Sequence, residues 1–280
     1  MSSRFLLLLA IAASAGAARA APPPAYEVVS RSSVAGAEVL AIEFQVAGAL
    51  GLTSALLIRP TTPGPHPGLL YLHKLGPGGS SGQFKDEALA LAAKGAISLL
   101  PQGRVPWRMK WAGDETDLAK GQGQLAEFEG ALALLRAEAG IDKDRILLVG
   151  HDYGAMFGLV LAAENPDIRA LVFLAFAPRY SDWKDFFNPR KKLTPAVYDG
   201  IMAPLDPMAA LDKLRGRPLY LQFAKSDTYV SEETVAAIRA AAGAGPVFDV
   251  VDAPDTDHEN LHKKGAEARV AWMENQLFSP

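Results

Sequence analysis

Six short apolar runs decide what this chain can fold into. GLLYLH (68–73), AISLLP (96–101), RILLVG (145–150), RALVFLAF (169–176), RPLYLQFA (217–224) and PVFDVVDA (246–253) have strand length, and helical patterns lie between them. The helices are QFKDEALALAAKG (83–95), Leu118–Ala139, EETVAAIRAAAG (232–243) and the C-terminal segment. Apolar strands alternating with helices predict an α/β fold, a mostly parallel sheet with helices on both faces. Ahead of them, Tyr26–Ser30, Val39–Val46 and Thr53–Arg59 read as shorter strands between glycine-containing turns, and residues 60–68 as a loop. Ala177–Leu211 is polar, aromatic and punctuated by proline, and stands where a short lid would be inserted.

Residues 1–20 read as an export leader. Arg4 is the positive flank, Phe5–Ala13 the apolar core and Ala18-Arg19-Ala20 a small-x-small cleavage site, with an apolar run too short to span a bilayer. Cleavage there predicts a secreted or periplasmic chain from Ala21, a single domain over 21–280 without membrane attachment. Of 28 basic residues, Arg4 and Arg19 leave with the leader, so 26 stand against 31 acidic ones, a formal charge of −5. With no basic stripe, neither nucleic acid nor an anionic membrane surface is a predicted partner. The absence of cysteine excludes disulfides, thiolate catalysis and cysteine metal sites. None of this sets an oligomeric state.

Four motifs compete for a function. GQGQLA (121–126) fits a dinucleotide fingerprint but follows a charged helical stretch instead of a strand. GGSSG (78–82) offers Ser80 as a nucleophile, yet flexible residues separate it from the strand end at His73, so a loop with a capping serine is the simpler reading. HENLH (258–262) fits a zinc metallopeptidase motif through His258, Glu259 and His262, but the DAPDTD loop immediately upstream puts His258 at or before the helix start. GHDYG (150–154) is the least specific as letters and the best placed. It follows a strand run and opens a close-packing helix, with Gly150 and Gly154 small where a sharp turn needs them. Its structural alternative is a plain strand-to-helix turn with Asp152 as a helix cap.

Two later residues favour the functional reading. Asp227 stands just past RPLYLQFA and His258 just past PVFDVVDA, so nucleophile, acid and base follow in the order Asp152, Asp227, His258. With that order the chain resembles the α/β-hydrolase superfamily over the whole mature length. LLYLHKLGPGG looks like the superfamily's oxyanion loop, and LQFAKSDTYVSEE like its acid-bearing segment. The plan is most similar to dienelactone-hydrolase-like and esterase-like branches. The aspartate at the tip is instead the pattern of epoxide hydrolases and haloalkane dehalogenases. Lys74 departs from the glycine common in that loop, and Tyr153 from the tryptophan that dehalogenases favour after the nucleophile.

The resemblance implies catalysis without cofactor or metal. The backbone N–H of Tyr153 and one from Lys74 or Leu75 would hold an oxyanion, and a small-molecule substrate would meet His73, Trp107, Trp111, Tyr180 and Tyr198. Arg104, Arg108 and Lys74 would suit an anionic or aromatic substrate, or simply be solvated surface. A carboxylate attacking an ester would be expelled again, because a carboxylic acid has a pKa near ~4 and an alcohol, like water, near ~16. Attack on saturated carbon, with a halide or strained epoxide oxygen departing, has no such reversal. The predicted function is hydrolysis of a small organic substrate through Asp152, His258 and Asp227. Its rivals are an ester or lactone hydrolase of dienelactone type, the zinc metallopeptidase, and an inactive hydrolase-fold binding protein.

Overall fold

The computed structural model describes residues 22–75, 81–187 and 193–279. Its strands are β1 (Tyr26–Val34), β2 (Ala37–Phe44), β3 (Thr53–Pro60), β4 (His66–Leu72), β5 (Ile97–Pro101), β6 (Ile141–His151), β7 (Ala170–Leu174), β8 (Leu219–Ala224) and β9 (Val247–Val251). Its helices are α1 (Lys85–Ala92), α2 (Thr116–Ala137), α3 (Tyr153–Glu164), α4 (Tyr180–Phe187), α5 (Pro195–Met202), α6 (Pro207–Lys213), α7 (Glu232–Ala242), α8 (Leu261–Lys264) and α9 (Ala266–Phe278). The strands form one sheet in the order β1-β2-β3-β5-β4-β6-β7-β8-β9. The three pairings from β1 to β5 are antiparallel and the rest are parallel.

The continuous apolar runs prove to be two alternating sets, as a sheet buried on both faces requires. Leu70, Leu72, Leu148, Phe173 and Leu221 point into one core with α2 and α3, whereas Leu69, Tyr71, Val149 and Val172 pack with α1 and α9 on the other face. The first strand runs longer than the sequence reading placed it. β1 continues to Val34 and turns into β2 through Ala35 and Gly36, both with positive φ, instead of ending at Ser30. Its exposed SRSSV half carries no apolar signal because the strand is solvated along its length.

The lid candidate contributes α4, α5 and most of α6, and its residues 188–192 lie outside the described ones. Tyr180, Trp183, Tyr198, Met202, Leu205 and Leu211 are buried in the core that also holds α3. The Tyr198 hydroxyl donates to Asp117 Oδ2 at 3.0 Å, and that carboxylate also accepts the amides of Ala112 and Gly113 at 2.8 and 2.7 Å. Among the described residues no helix is long and apolar enough to cross a membrane.

Between β6 and α3 the chain reverses at Asp152, with φ 57° and ψ −123°, a conformation that strains a residue carrying a Cβ by about 1–3 kcal/mol. The Asp152 amide donates to Leu174 O at 2.9 Å, and its carbonyl accepts from Ala155 and Met156 at 3.0 Å each. α3 is buried from Tyr153 to Ala162, so packing holds the kink in place. A Cβ on Gly154 would lie 2.2 Å from Leu72 O, and one on Gly150 2.7 Å from Ala155 Cα. Gly154→Ala is therefore expected to destabilise the fold by about 1–3 kcal/mol. Gly200→Ala, in α5 with nothing within 4 Å of the added Cβ, should be neutral or stabilising by up to about 1 kcal/mol. Urea denaturation midpoints of the two variants check the contrast.

Candidate functional site

The carboxyl ends of five strands supply the site, the edge at which open α/β sheets bind ligands. His73, Lys74 and Leu75 follow β4, Gln102–Trp107 follow β5, the Asp152 kink follows β6, Asp227 follows β8 and His258 follows β9. Asp227 is oriented by its own turn, since Oδ1 accepts the amides of Tyr229 and Val230 at 2.7 and 2.9 Å. That leaves Oδ2 for the His258 Nδ1–H at 2.9 Å. The loop carrying His258 is stapled by Asp257 and Asn260, each accepting the other's amide at 2.9 and 3.1 Å.

Asp152 does not cap α3, which removes the plain-turn alternative for its side chain. Its Oδ2 accepts the Leu75 amide at 2.9 Å, and Oδ1 has no hydrogen-bond partner among the described residues. Asp152 is 3% and His258 2% exposed, so neither group is bathed in water. Burial works against a charged ring at His258, but Asp152 and Asp227 outweigh it and raise the pKa to about 9. Nδ1 is taken by Asp227, and the Asp152 and Asp227 carboxylates both favour the protonated form of the ring.

The other predicted residues divide into those beside Asp152 and those that buttress it. Lys74 was expected to share the oxyanion role, but its amide donates to Gln83 Oε1 at 2.7 Å and its ammonium pairs with Glu259. Leu75 alone of the two turns its amide to Asp152. Tyr153 opens α3 with its amide in the first turn, where a helix offers N–H groups to anions. Its ring is fully buried, with centroids 5.9–6.4 Å from those of Trp183, Trp111, Tyr180 and Trp107.

His73, expected to meet substrate, has both ring nitrogens engaged. Nε2 accepts the Gly103 amide at 2.9 Å and Nδ1 donates to Lys74 O at 2.9 Å, while burial lowers its pKa to about 4. The Trp107 indole donates to Lys74 O at 2.9 Å, and Trp111 packs edge-on to Tyr180 with centroids 5.7 Å apart. Tyr198 gives its hydroxyl to Asp117, as described above. The cations that suggested an anionic substrate are also matched in part, since Arg104 Nε pairs with Glu127 at 3.0 Å.

The rival motifs fare differently. GQGQLA lies inside α2 and does not follow a strand, as a dinucleotide fingerprint would. Ser80 lies outside the described residues. In HENLH, His258 precedes the four-residue α8 and is held by Asp227, Glu259 is paired with Lys74, and only His262 is helical. Among the described residues no group of three or more His, Cys, Asp or Glu is arranged to hold a metal ion.

Four contributors were missed from the sequence. Trp183 packs edge-on to His258 at 5.5 Å and Tyr229 lies 5.0 Å from the same ring. His151 sits 5.2 Å from it, and Gln83 bonds His151 Nδ1 at 2.7 Å. His151 and Tyr229 adjoin predicted residues and were within reach of the motif reading. Trp183 and Gln83 carry no local signal, because only the fold brings them here.

No protein-family model matches the sequence, and no curated protein sequence matches it. Solved structures do. The chain is similar to acetyl xylan esterase 1 of Thermoanaerobacterium sp. JW/SL YS485, with TM-score 0.69 and 21% identity over 90% of this chain and 88% of that one. S-formylglutathione hydrolase of Agrobacterium tumefaciens gives TM-score 0.69 and 16% identity over 89% and 99% of the two chains. A candidate dienelactone hydrolase of Klebsiella pneumoniae gives 0.58 and 20% over 84% and 98%. The fold is that of the α/β-hydrolases.

The raised His258 pKa has a measurable sign. A ring whose folded pKa is raised stabilises the fold fully below its ordinary value near 6.5, and that stabilisation is lost as pH rises through about 9. Asp152→Asn removes one carboxylate and should lower the His258 pKa by at least about 1 unit. Histidine-ring NMR titration reads the shift directly. Unfolding midpoints at pH 6.5 and 9.5 should also differ less in the variant than in the wild type.

Proposed function

We propose that this chain is a hydrolase of a small organic substrate with Asp152 as covalent nucleophile. The observation that carries the proposal is the Asp152 carboxylate itself, with one oxygen against the Leu75 amide, the other without a hydrogen-bond partner among the described residues, and His258 beside it. Oδ1 attacks a saturated carbon and displaces a halide or opens an epoxide, forming an alkyl ester on Asp152. The ester is neutral, so one of the two charges holding the proton on His258 disappears. The ring then gives that proton to the opened alkoxide, or to solvent where a halide left.

Neutral His258, oriented by Asp227, next takes a proton from water as the water oxygen attacks Asp152 Cγ. The oxyanion forms at Oδ2, where the Leu75 amide already donates and the Tyr153 amide opens α3. Collapse breaks the ester C–O bond, and His258 returns its proton to the departing alcohol oxygen. Export follows from the leader reading of residues 1–20, and places the enzyme outside the cytoplasm as a secreted or periplasmic protein. N-terminal sequencing of exported material should begin at Ala21.

A second reading is ester or lactone hydrolysis, favoured by the fold shared with acetyl xylan esterases and with the candidate dienelactone hydrolase. There His258 and Asp227 activate water directly, which needs a neutral ring and therefore activity that rises with pH through about 9.

Intact-mass spectrometry of His258→Gln after incubation with haloalkanes, epoxides and activated esters tests the proposal. An adduct on Asp152, lost in Asp152→Asn, together with turnover reduced at least ~10²-fold, is the expected result. Ester turnover that survives Asp152→Ala, without any adduct, transfers the assignment to the second reading. Absence of turnover and adduct on every class overturns the proposal and favours the binding-protein rival.

A further inference from the structure

The elbow histidine and Gln83 have no part in the chemistry just described, yet they stand directly behind it. Gln83 lies in a short 3-10 turn (Ser81–Phe84) after the oxyanion loop. Its side chain accepts the Lys74 amide at 2.7 Å and meets His151 Nδ1 at 2.7 Å. The roles in this bracket are fixed by elimination. A backbone amide only donates, so the oxygen of Gln83 faces Lys74 and its NH₂ faces His151. His151 Nδ1 must then accept, which puts the ring proton on Nε2.

The surroundings favour that neutral ring. His151 is fully buried, and His258, His262, Lys74 and Arg269 all oppose a second proton on it, with burial the largest cause of its lowered pKa. A protonated His151 would turn an N–H toward the Gln83 NH₂. Successive amides of the loop therefore face opposite ways. Lys74 N–H is drawn back to Gln83, and Leu75 N–H is presented to Asp152 Oδ2 at 2.9 Å. Because His151 immediately precedes Asp152 in the chain, the bracket ties the loop to the nucleophile's own backbone.

We infer that Gln83 and His151 are positioning residues that set which loop amide meets Asp152. Their catalytic consequence rests on the reading of Asp152 as nucleophile, but their geometric role does not. Gln83→Leu removes both bonds at a half-buried position. Gln83→Glu keeps an acceptor for Lys74 and lets His151 switch its proton to Nδ1, so the bracket survives with reversed polarity.

Amide and ring NMR on the full chain tests this without a substrate. In Gln83→Leu the Leu75 amide should shift in the direction that Asp152→Asn shifts it, and its hydrogen exchange should quicken at least tenfold. In Gln83→Glu the Leu75 amide should stay near its wild-type position while the His151 nitrogen shifts report the exchanged tautomer. Should Gln83→Leu not fold, that tautomer exchange alone decides. An unmoved Leu75 amide in Gln83→Leu, or an unchanged His151 tautomer in Gln83→Glu, overturns the inference. With a turned-over substrate in hand, Gln83→Leu should lower kcat at least tenfold with KM within about twofold, and Gln83→Glu should recover part of the loss. If no substrate is ever found, the NMR result still stands and only the catalytic reading falls.

Discussion

The left-handed backbone at Asp152 is the constraint to which the rest of the site conforms. A residue with a Cβ is held at φ 57° because the amide on one side reaches Leu174 O on β7 and α3 begins at once on the other. Both neighbours two residues away are glycine, and at both a side chain would collide with backbone. The conformational cost of about 1–3 kcal/mol is small beside the burial of ten consecutive residues of α3. Such a turn lifts its central side chain clear of both the strand and the helix. The carboxylate consequently leaves the helix N-terminus unserved and reaches the Leu75 amide across the top of the sheet.

Placing an acid at that point changes the electrostatics of everything around it. Buried carboxylates are costly if unpaired, and His258 is the imidazole whose charged form both Asp152 and Asp227 favour. His258 is buried on all sides by Trp183, Tyr229 and His151, which alone would favour a neutral ring. The carboxylates reverse that preference. Lys74 and Glu259 close a further ion pair over the same loops, so the departure from glycine at 74 ties the β4 loop to the residue following His258.

The sheet was legible because its signal is local. Strand-length apolar runs spaced by helices leave few alternatives to a parallel sheet, and the elbow, acid and base each fall at a strand end that the runs define. β1 was misjudged at Ser30 because a solvated edge strand has no apolar period to betray it. At the site, the chain order of Asp152, Asp227 and His258 at successive strand ends was visible in the letters, whereas which of Lys74 and Leu75 turns its amide to Asp152 was not. Two adjacent residues in one loop differ only in which way the peptide turns, and that is set by Gln83 from another element. Likewise His73 and Tyr198 have the composition of site residues, and only the fold shows their polar atoms already engaged with Gly103, Lys74 and Asp117.

A shared fold with esterases does not transfer their chemistry, because function lives in the residues placed on the fold. A serine in this position would need His258 neutral from the outset, to accept the hydroxyl proton. An aspartate inverts the requirement. On the proposed mechanism a carboxylate nucleophile needs no base to activate it, and its charge favours the protonated His258 ring. Alkylation of Asp152 would cancel that charge and weaken the hold on the proton. The base that hydrolysis needs would then be produced by the step that makes hydrolysis necessary. The same two carboxylates that raise the His258 pKa would then link the stability of the fold to the order of the proposed steps.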